Sequence, residues 1–182
     1  MSSRSRFAAI SVAGVAACTM VLSSTPASAN VSQGVIYGGG KITDDWGDEG
    51  PLSSSHYSTS HAVGLWQWVL YTEGVKEQDG TPFDQSDIDC AFGPNTTYAT
   101  KQLQRKWGLA QDGIVGPDTF GKADNNLFRN SDTQSTIYYQ QSDGGRTVKF
   151  LRVGTHSGGP GPYSFTPPNN TWHRASYRDT GC

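Results

Sequence analysis

Two octapeptides in this chain repeat one another. Asp89-Cys90-Ala91-Phe92-Gly93-Pro94-Asn95-Thr96 and Asp112-Gly113-Ile114-Val115-Gly116-Pro117-Asp118-Thr119 set an acid, a bulky apolar residue, Gly, Pro and Thr in the same order. Each reads as a turn that drops an apolar plug into a core and then opens a helix. Gly admits backbone angles that other residues resist, and Pro suits the first helical position because its missing N–H is not needed there. A chain carrying two such units in tandem is constrained to a small pseudo-symmetric helical domain.

The apolar spacing supplies the helices. Val63, Trp66 and Leu70 stand at i, i+3, i+7 and predict a first helix over 61–71, stopped by Gly74. Trp68 falls off that stripe and is expected to be more exposed. Ala99, Leu103 and Trp107 share one side of a second helix over 94–107, ended by Gly108. Phe120, Ala123 and Leu127 repeat the spacing in a third over 117–127, with Asp118 near its positive end. Between the first helix and the first octapeptide, 76–82 is polar and reads as a loop.

The first 29 residues stand apart from the fold. Arg4 and Arg6 form a basic start, Phe7 to about Leu22 is apolar, and Ala27-Ser28-Ala29 offers a small-residue cleavage site, so the segment reads as a secretory signal peptide. Val15-Ala16-Ala17-Cys18 also has the look of a lipoprotein box, which leaves lipidation at Cys18 as the alternative. Cys90 and Cys182 remain after cleavage, and an exported pair is most simply a disulfide. The competing reading makes Cys182 a nucleophile, as in wall transpeptidases, although no residue follows it to shape a site. Two of the 14 Lys and Arg residues and none of the 16 Asp and Glu residues lie in the signal, so the remainder carries a net charge of −4. That balance argues against nucleic acid and anionic lipid as partners. The mature chain is expected to be secreted, wall-associated, free of the membrane and monomeric.

Residues 30–60 are rich in Gly, Ser and Asp and show no helical period, which predicts a flexible arm. Trp46, set among four acids, offers the alternative of docking on the domain or on a partner. Beyond 61–130, residues 131–182 change texture. The β-prone runs 136–140 and 147–153, separated by Asp143-Gly144-Gly145, predict a hairpin, with a last short strand that includes Trp172 and 175–177. The expected architecture is mainly α: a small three-helix pseudo-symmetric bundle with a short C-terminal extension containing a β-hairpin.

With these motifs in place, Val63 to Leu127 resembles the helical peptidoglycan-binding domain of bacterial wall hydrolases. The resemblance rests on Val63, Trp66-Gln67, Leu70 and Gly74, then Phe92-Gly93-Pro94-Asn95-Thr96, Ala99, Leu103-Gln104 and Gly108-Leu109, then 112–120. Cys90 departs from it, standing where the family has Gly. The resemblance implies non-covalent binding of peptidoglycan or muropeptides and no cofactor. A sugar-peptide polymer asks for amide and carboxylate partners and an aromatic face. Phe92, Gly93, Pro94, Val115, Gly116 and Pro117 read as scaffold. Gln104 and Trp107 divide between helix packing and ligand contact, and Asp89, Thr96 and Tyr98, at the mouth of the second helix, complete the ligand-binding candidates.

Catalytic patterns are sparse. His56 and His61 lie five apart rather than at the i, i+4 spacing with an adjacent Glu that zincins use. His156 sits in a Thr-His-Ser-Gly run that lacks the transpeptidase cysteine, and His173 has no patterned neighbour. Each histidine reads as a surface or loop residue, no metal site is indicated, and no nucleophile elbow appears. A Ser-His-Asp site stays open, because its members are spatial neighbours only. The leading expectation is therefore a secreted, non-catalytic peptidoglycan-binding protein. The alternatives are a small wall hydrolase or transpeptidase with its chemistry in 131–182, or a wall-anchored interaction or inhibitor protein.

Overall fold

The computed structural model describes residues 33–130, 135–154 and 161–182. The signal-like segment 1–29, Cys18 and His156 lie outside the described residues. Three helices follow the expected order: α1 (His61–Glu73), α2 (Pro94–Trp107) and α3 (Pro117–Ala123). Around them lie six strands: β1 (Tyr37–Gly38), β2 (Leu127–Phe128), β3 (Thr136–Gln140), β4 (Thr147–Arg152), β5 (Gly161–Phe165) and β6 (His173–Arg174). They form one antiparallel sheet in the order β1-β5-β4-β3-β2, with β6 also paired to β5.

The expectation of a mainly α three-helix bundle is therefore corrected, because the sheet is as much a part of the core as the helices. The hairpin is present as β3 and β4, joined in register from Thr136↔Leu151 to Gln140↔Thr147. The missed strand is β5. Its Gly161-Pro162 start looks like loop, yet its alternation places Gly161, Tyr163 and Phe165 inward. The third helix is shorter than the spacing implied. It stops at Ala123, a 3₁₀ turn follows, and Leu127 enters β2 opposite Tyr139.

Helix α1 is the axis of the molecule. Ser60 caps it, with its hydroxyl accepting from the Val63 N–H, and every residue except Tyr71 is buried. A helix covered on all sides needs partners on all sides. The helical domain takes one face and the sheet the other, so Trp68 is buried, contrary to expectation, and its indole donates to the Thr166 carbonyl at 2.9 Å. Gly64 permits the close approach. A Cβ there would sit 2.5 Å from both the Cys90 sulfur and the Phe165 ring.

Residues 33–60, read as a flexible arm, contribute to this core. Trp46 is fully buried between α3 and the sheet, with its ring 5.3 Å from Tyr163, 6.0 Å from Phe120 and Phe150, and stacked on Tyr139 at 6.4 Å. Its backbone N–H donates to Asp124 at 3.0 Å. Asp45 accepts from Arg152 and from the Tyr163 hydroxyl, each at 2.5 Å. Glu49 accepts from the Tyr177 hydroxyl at 2.6 Å. At the other end of α1, buried Glu73 gathers Tyr139, Ser142 and Lys106. Each buried carboxylate has hydrogen-bond donors in place of water, the condition for keeping such a group inside.

The chain end closes the fold. Cys90 and Cys182 form a disulfide across 92 positions, with Cα atoms 5.6 Å apart. Beside it, the free N–H groups of the first turn of α1 find acceptors, His61 on the Asp179 carbonyl and Ala62 on that of Ser176, both at 2.9 Å. A helix start buried under a tail needs such partners.

Candidate functional site

The two octapeptides fold into the same turn, each built around one glutamine. In the first, the Gln67 amide N–H group donates to Asp89 (2.7 Å), the Ala91 carbonyl (3.0 Å) and the Thr96 hydroxyl (3.3 Å), while its oxygen accepts from the Cys90 N–H (2.8 Å). In the second, the Gln104 amide N–H group donates to Asp112 (2.8 Å), the Ile114 carbonyl (2.9 Å) and the Thr119 hydroxyl (3.2 Å), and its oxygen accepts from the Gly113 N–H (2.9 Å). The acid also ties each turn locally, with Asp89 accepting from the Ala91 N–H and Asp112 from that of Ile114, both at 2.8 Å. Gly93 and Gly116 then lead into Pro94 and Pro117 at the helix starts.

Each turn frames a surface groove. The larger, about 620 Å³, lies at the second turn. Leu109, Ala110, Ile114 and Pro117 give it an apolar floor, Asp112, Asp118 and Lys122 give it charge, and Gly47 from the N-terminal segment forms one wall. The smaller, about 330 Å³, lies at the first turn, among Phe92, Gly93, Pro94, Thr97, Tyr98 and Lys101. Aligning the octapeptides puts Tyr98 opposite Gly121. The second groove is therefore open where the first carries a phenol ring, and a Cβ on Gly121 would stand 3.3 Å from Gly47. Ile114 is 39% exposed and Tyr98 is 40% exposed, so each groove shows one large apolar surface to solvent.

The repeated turns lie in the part of the chain that is similar to known proteins. Residues 62–122 match the family model described as "Putative peptidoglycan binding domain". A zinc D-Ala-D-Ala carboxypeptidase of Streptomyces albus G is 53% identical over 38 residues, 21% of this chain and 15% of that protein. An uncharacterized protein in the bpoA1 3′ region of Kitasatospora aureofaciens is 50% identical over 38 residues, 21% of this chain and 32% of that protein. The chain thus spans less than a third of the length of either relative. No solved structure matches.

Within the matched segment the ligand-binding candidates fall in different places. Gln104 and Thr96 are 1% and 3% exposed and hold the turns together. Asp89 is exposed but serves the first turn. Tyr98 alone combines exposure with a groove. Trp107 packs its edge on Trp66, with ring centroids 6.5 Å apart, and its indole N–H is buried without a partner. The groove residues Ile114, Asp118, Lys122 and Gly121 were passed over, although an isoleucine inside a turn was the available signal.

Of the described histidines, His56 lies on the surface in a turn as expected, whereas His61 and His173 sit in regular elements. His61 opens α1, is 9% exposed, and bonds the Gly181 carbonyl through Nε2 at 2.8 Å. Its ring meets that of His173 at 4.4 Å, and burial first, then the neighbouring His61, holds the His173 pKa below its ordinary value. His56 Nδ1 contacts the Ser53 and Ser55 hydroxyls at 3.2 and 3.1 Å within one tight turn. Among the described residues no group of three or more His, Cys, Asp or Glu side chains is arranged to hold a metal ion, and no helix is long and apolar enough to cross a membrane.

Proposed function

We propose that this chain is a secreted, non-catalytic protein that holds peptidoglycan or its muropeptide fragments non-covalently through the groove of the second turn. The observation that carries the reading is the coincidence of the peptidoglycan-binding match over 62–122 with that groove. Its chemistry suits a sugar-peptide polymer. Ile114, Leu109 and Pro117 offer apolar contact, Lys122 answers a stem-peptide carboxylate, and Asp118 answers an amine. Export is supported by the signal-like first 29 residues and by the Cys90–Cys182 bond, which belongs in an oxidising compartment. The non-catalytic reading is supported by that same bond, because it occupies the one thiol that had been a candidate nucleophile.

The test is to mix the mature protein with purified sacculi and to measure pelleting and released muropeptides together. Pelleting without release is expected. Replacing Ile114→Ser or Lys122→Gln should weaken pelleting while leaving the melting temperature near that of the parent. Release of muropeptides would assign the chain to the hydrolase reading, and absence of pelleting would remove peptidoglycan as the partner.

A further inference from the structure

The outer face of the sheet carries a row of side chains that neither the core nor the grooves use. Phe128 of β2 pairs with Tyr138 of β3, and Tyr138 pairs with Lys149 of β4. Residues directly opposite one another in an antiparallel sheet share a face. Trp172, one residue ahead of β6, ends the row, with the Lys149 ammonium 5.6 Å from its ring centroid. Arg174 stands on the same face, opposite Ser164, which is itself opposite Leu151. The Phe128 and Tyr138 rings stack at 5.5 Å, and Phe128 and Trp172 are 38% and 43% exposed. From β2 to β6 the row crosses four strand steps, about 19 Å along the sheet.

The charge of this face opposes that of the chain. Acids outnumber bases 16 to 14 overall, yet the outward strand positions hold Lys149 and Arg174 and no carboxylate. Neither cation has an ion pair among the described residues. The stacked Phe128–Tyr138 pair is set apart from Trp172 by Lys149, whose ammonium lies against the Trp172 ring, so charge breaks the aromatic surface of this face. Two aromatic platforms, the stacked Phe128–Tyr138 pair and Trp172, with a cation between them suit a polymer of linked sugar rings that carries acid groups. The rings take the C–H faces of the sugars, and the cations take the acids.

Resting on the reading above, we propose that this face is a second contact for peptidoglycan. The glycan strand lies along Phe128, Tyr138 and Trp172, and Lys149 and Arg174 meet the carboxylates of its side groups. Two contacts on one chain with one polymer reinforce each other, because the second forms at high effective concentration.

The experiment compares pelleting isotherms of the full mature chain with those of Trp172→Ala, Lys149→Gln/Arg174→Gln and the groove variant Ile114→Ser. The sacculi are used both intact and after acid removal of covalently attached anionic polymers, and melting temperatures accompany each isotherm. Each face variant should bind at least about tenfold more weakly than the parent with an unchanged melting temperature. High salt should weaken the parent more than the double glutamine variant, because the cations act through screened charge. Should Trp172→Ala lose its fold, the double variant carries the test alone, since it changes only exposed side chains. Face variants that bind like the parent, with Ile114→Ser still impaired, overturn this proposal and leave the groove reading standing. A parent that does not pellet overturns both. Impairment seen only on unstripped sacculi assigns the face to the attached polymer and likewise overturns the proposal.

Discussion

Cys90 adopts in the first turn the left-handed conformation that Gly113 adopts in the second, at φ 62° and 75°. Both donate their N–H to the glutamine of their turn. A side chain makes that conformation costly, by roughly 1–2 kcal/mol relative to glycine, and the first turn accepts the cost in order to place the sulfur for Cys182. Once the bond is gone, the cost remains without the benefit. In a Cys182→Ala background, Cys90→Gly should therefore be more stable than Cys90→Ala by about 1 kcal/mol. Urea denaturation of the two double variants checks this. Equal stabilities would mean that the turn relaxes when the sulfur is removed.

The paired glutamines carry the next expectation. Truncating Gln104→Ala removes the acceptor of the Gly113 N–H and the donor of Asp112, Ile114 and Thr119, leaving buried polar groups unmatched. Such losses cost about 1–3 kcal/mol. Gln67→Ala should cost a similar amount at the first turn, and its own stability curve separates the two. A Gln104→Ala protein as stable as the parent but failing to pellet would return Gln104 to direct ligand contact.

How much of this was legible follows the range of the interactions. The octapeptides, their prolines and the helix starts were readable because each turn is specified by residues close in sequence. Gln67 and Asp89 were readable as motif members, but their partnership spans the whole intervening loop. The sheet was under-read for a related reason. β5 begins Gly161-Pro162 and β1 and β6 are two residues each, so their pairing is set by neighbours and not by propensity. Trp46 shows the same limit: its acidic surroundings look solvated, yet Asp45 and Glu49 are themselves hydrogen-bonded inside the protein. At the grooves, the repeat marked the two turns that frame them, while exposure alone separated Tyr98 and Ile114 from the residues that build them.

Gly64 tests the closeness of helix and sheet. Alanine is the better helix former, by about 1 kcal/mol. Here its methyl would press on the Cys90 sulfur and on the Phe165 ring. Forced overpacking costs about 1–3 kcal/mol, so Gly64→Ala should lower the melting temperature despite the gain in propensity. The reduced protein should tolerate the change better, because freeing Cys90 lets the sulfur move. A rise in melting temperature would show that the sheet can step back from α1.

Glu49 sets a pH dependence with a definite sign. Burial, opposed by the Tyr177 hydroxyl and the Tyr37 N–H, pushes its carboxyl from an ordinary 4.5 up to about 7. Below pH 4.5 the group is protonated in both states and its contribution is complete. As pH rises, the unfolded chain releases the proton first, so stability falls until the folded group also ionises near pH 7, a loss on the order of 3 kcal/mol. Asp124, raised by burial to about 6, acts in the same direction, and His173, held low, acts in the opposite one. The difference between the parent and Glu49→Gln isolates Glu49 from both. Glutamine is neutral and retains an acceptor for one of the two donors, so the variant should gain on the parent from pH 5 to pH 8. Urea denaturation at several pH values across that interval measures the gain. Parallel stability curves would mean that Glu49 titrates in the folded protein as it does in the unfolded chain, and that the bonds from Tyr177 and Tyr37 offset its burial in full.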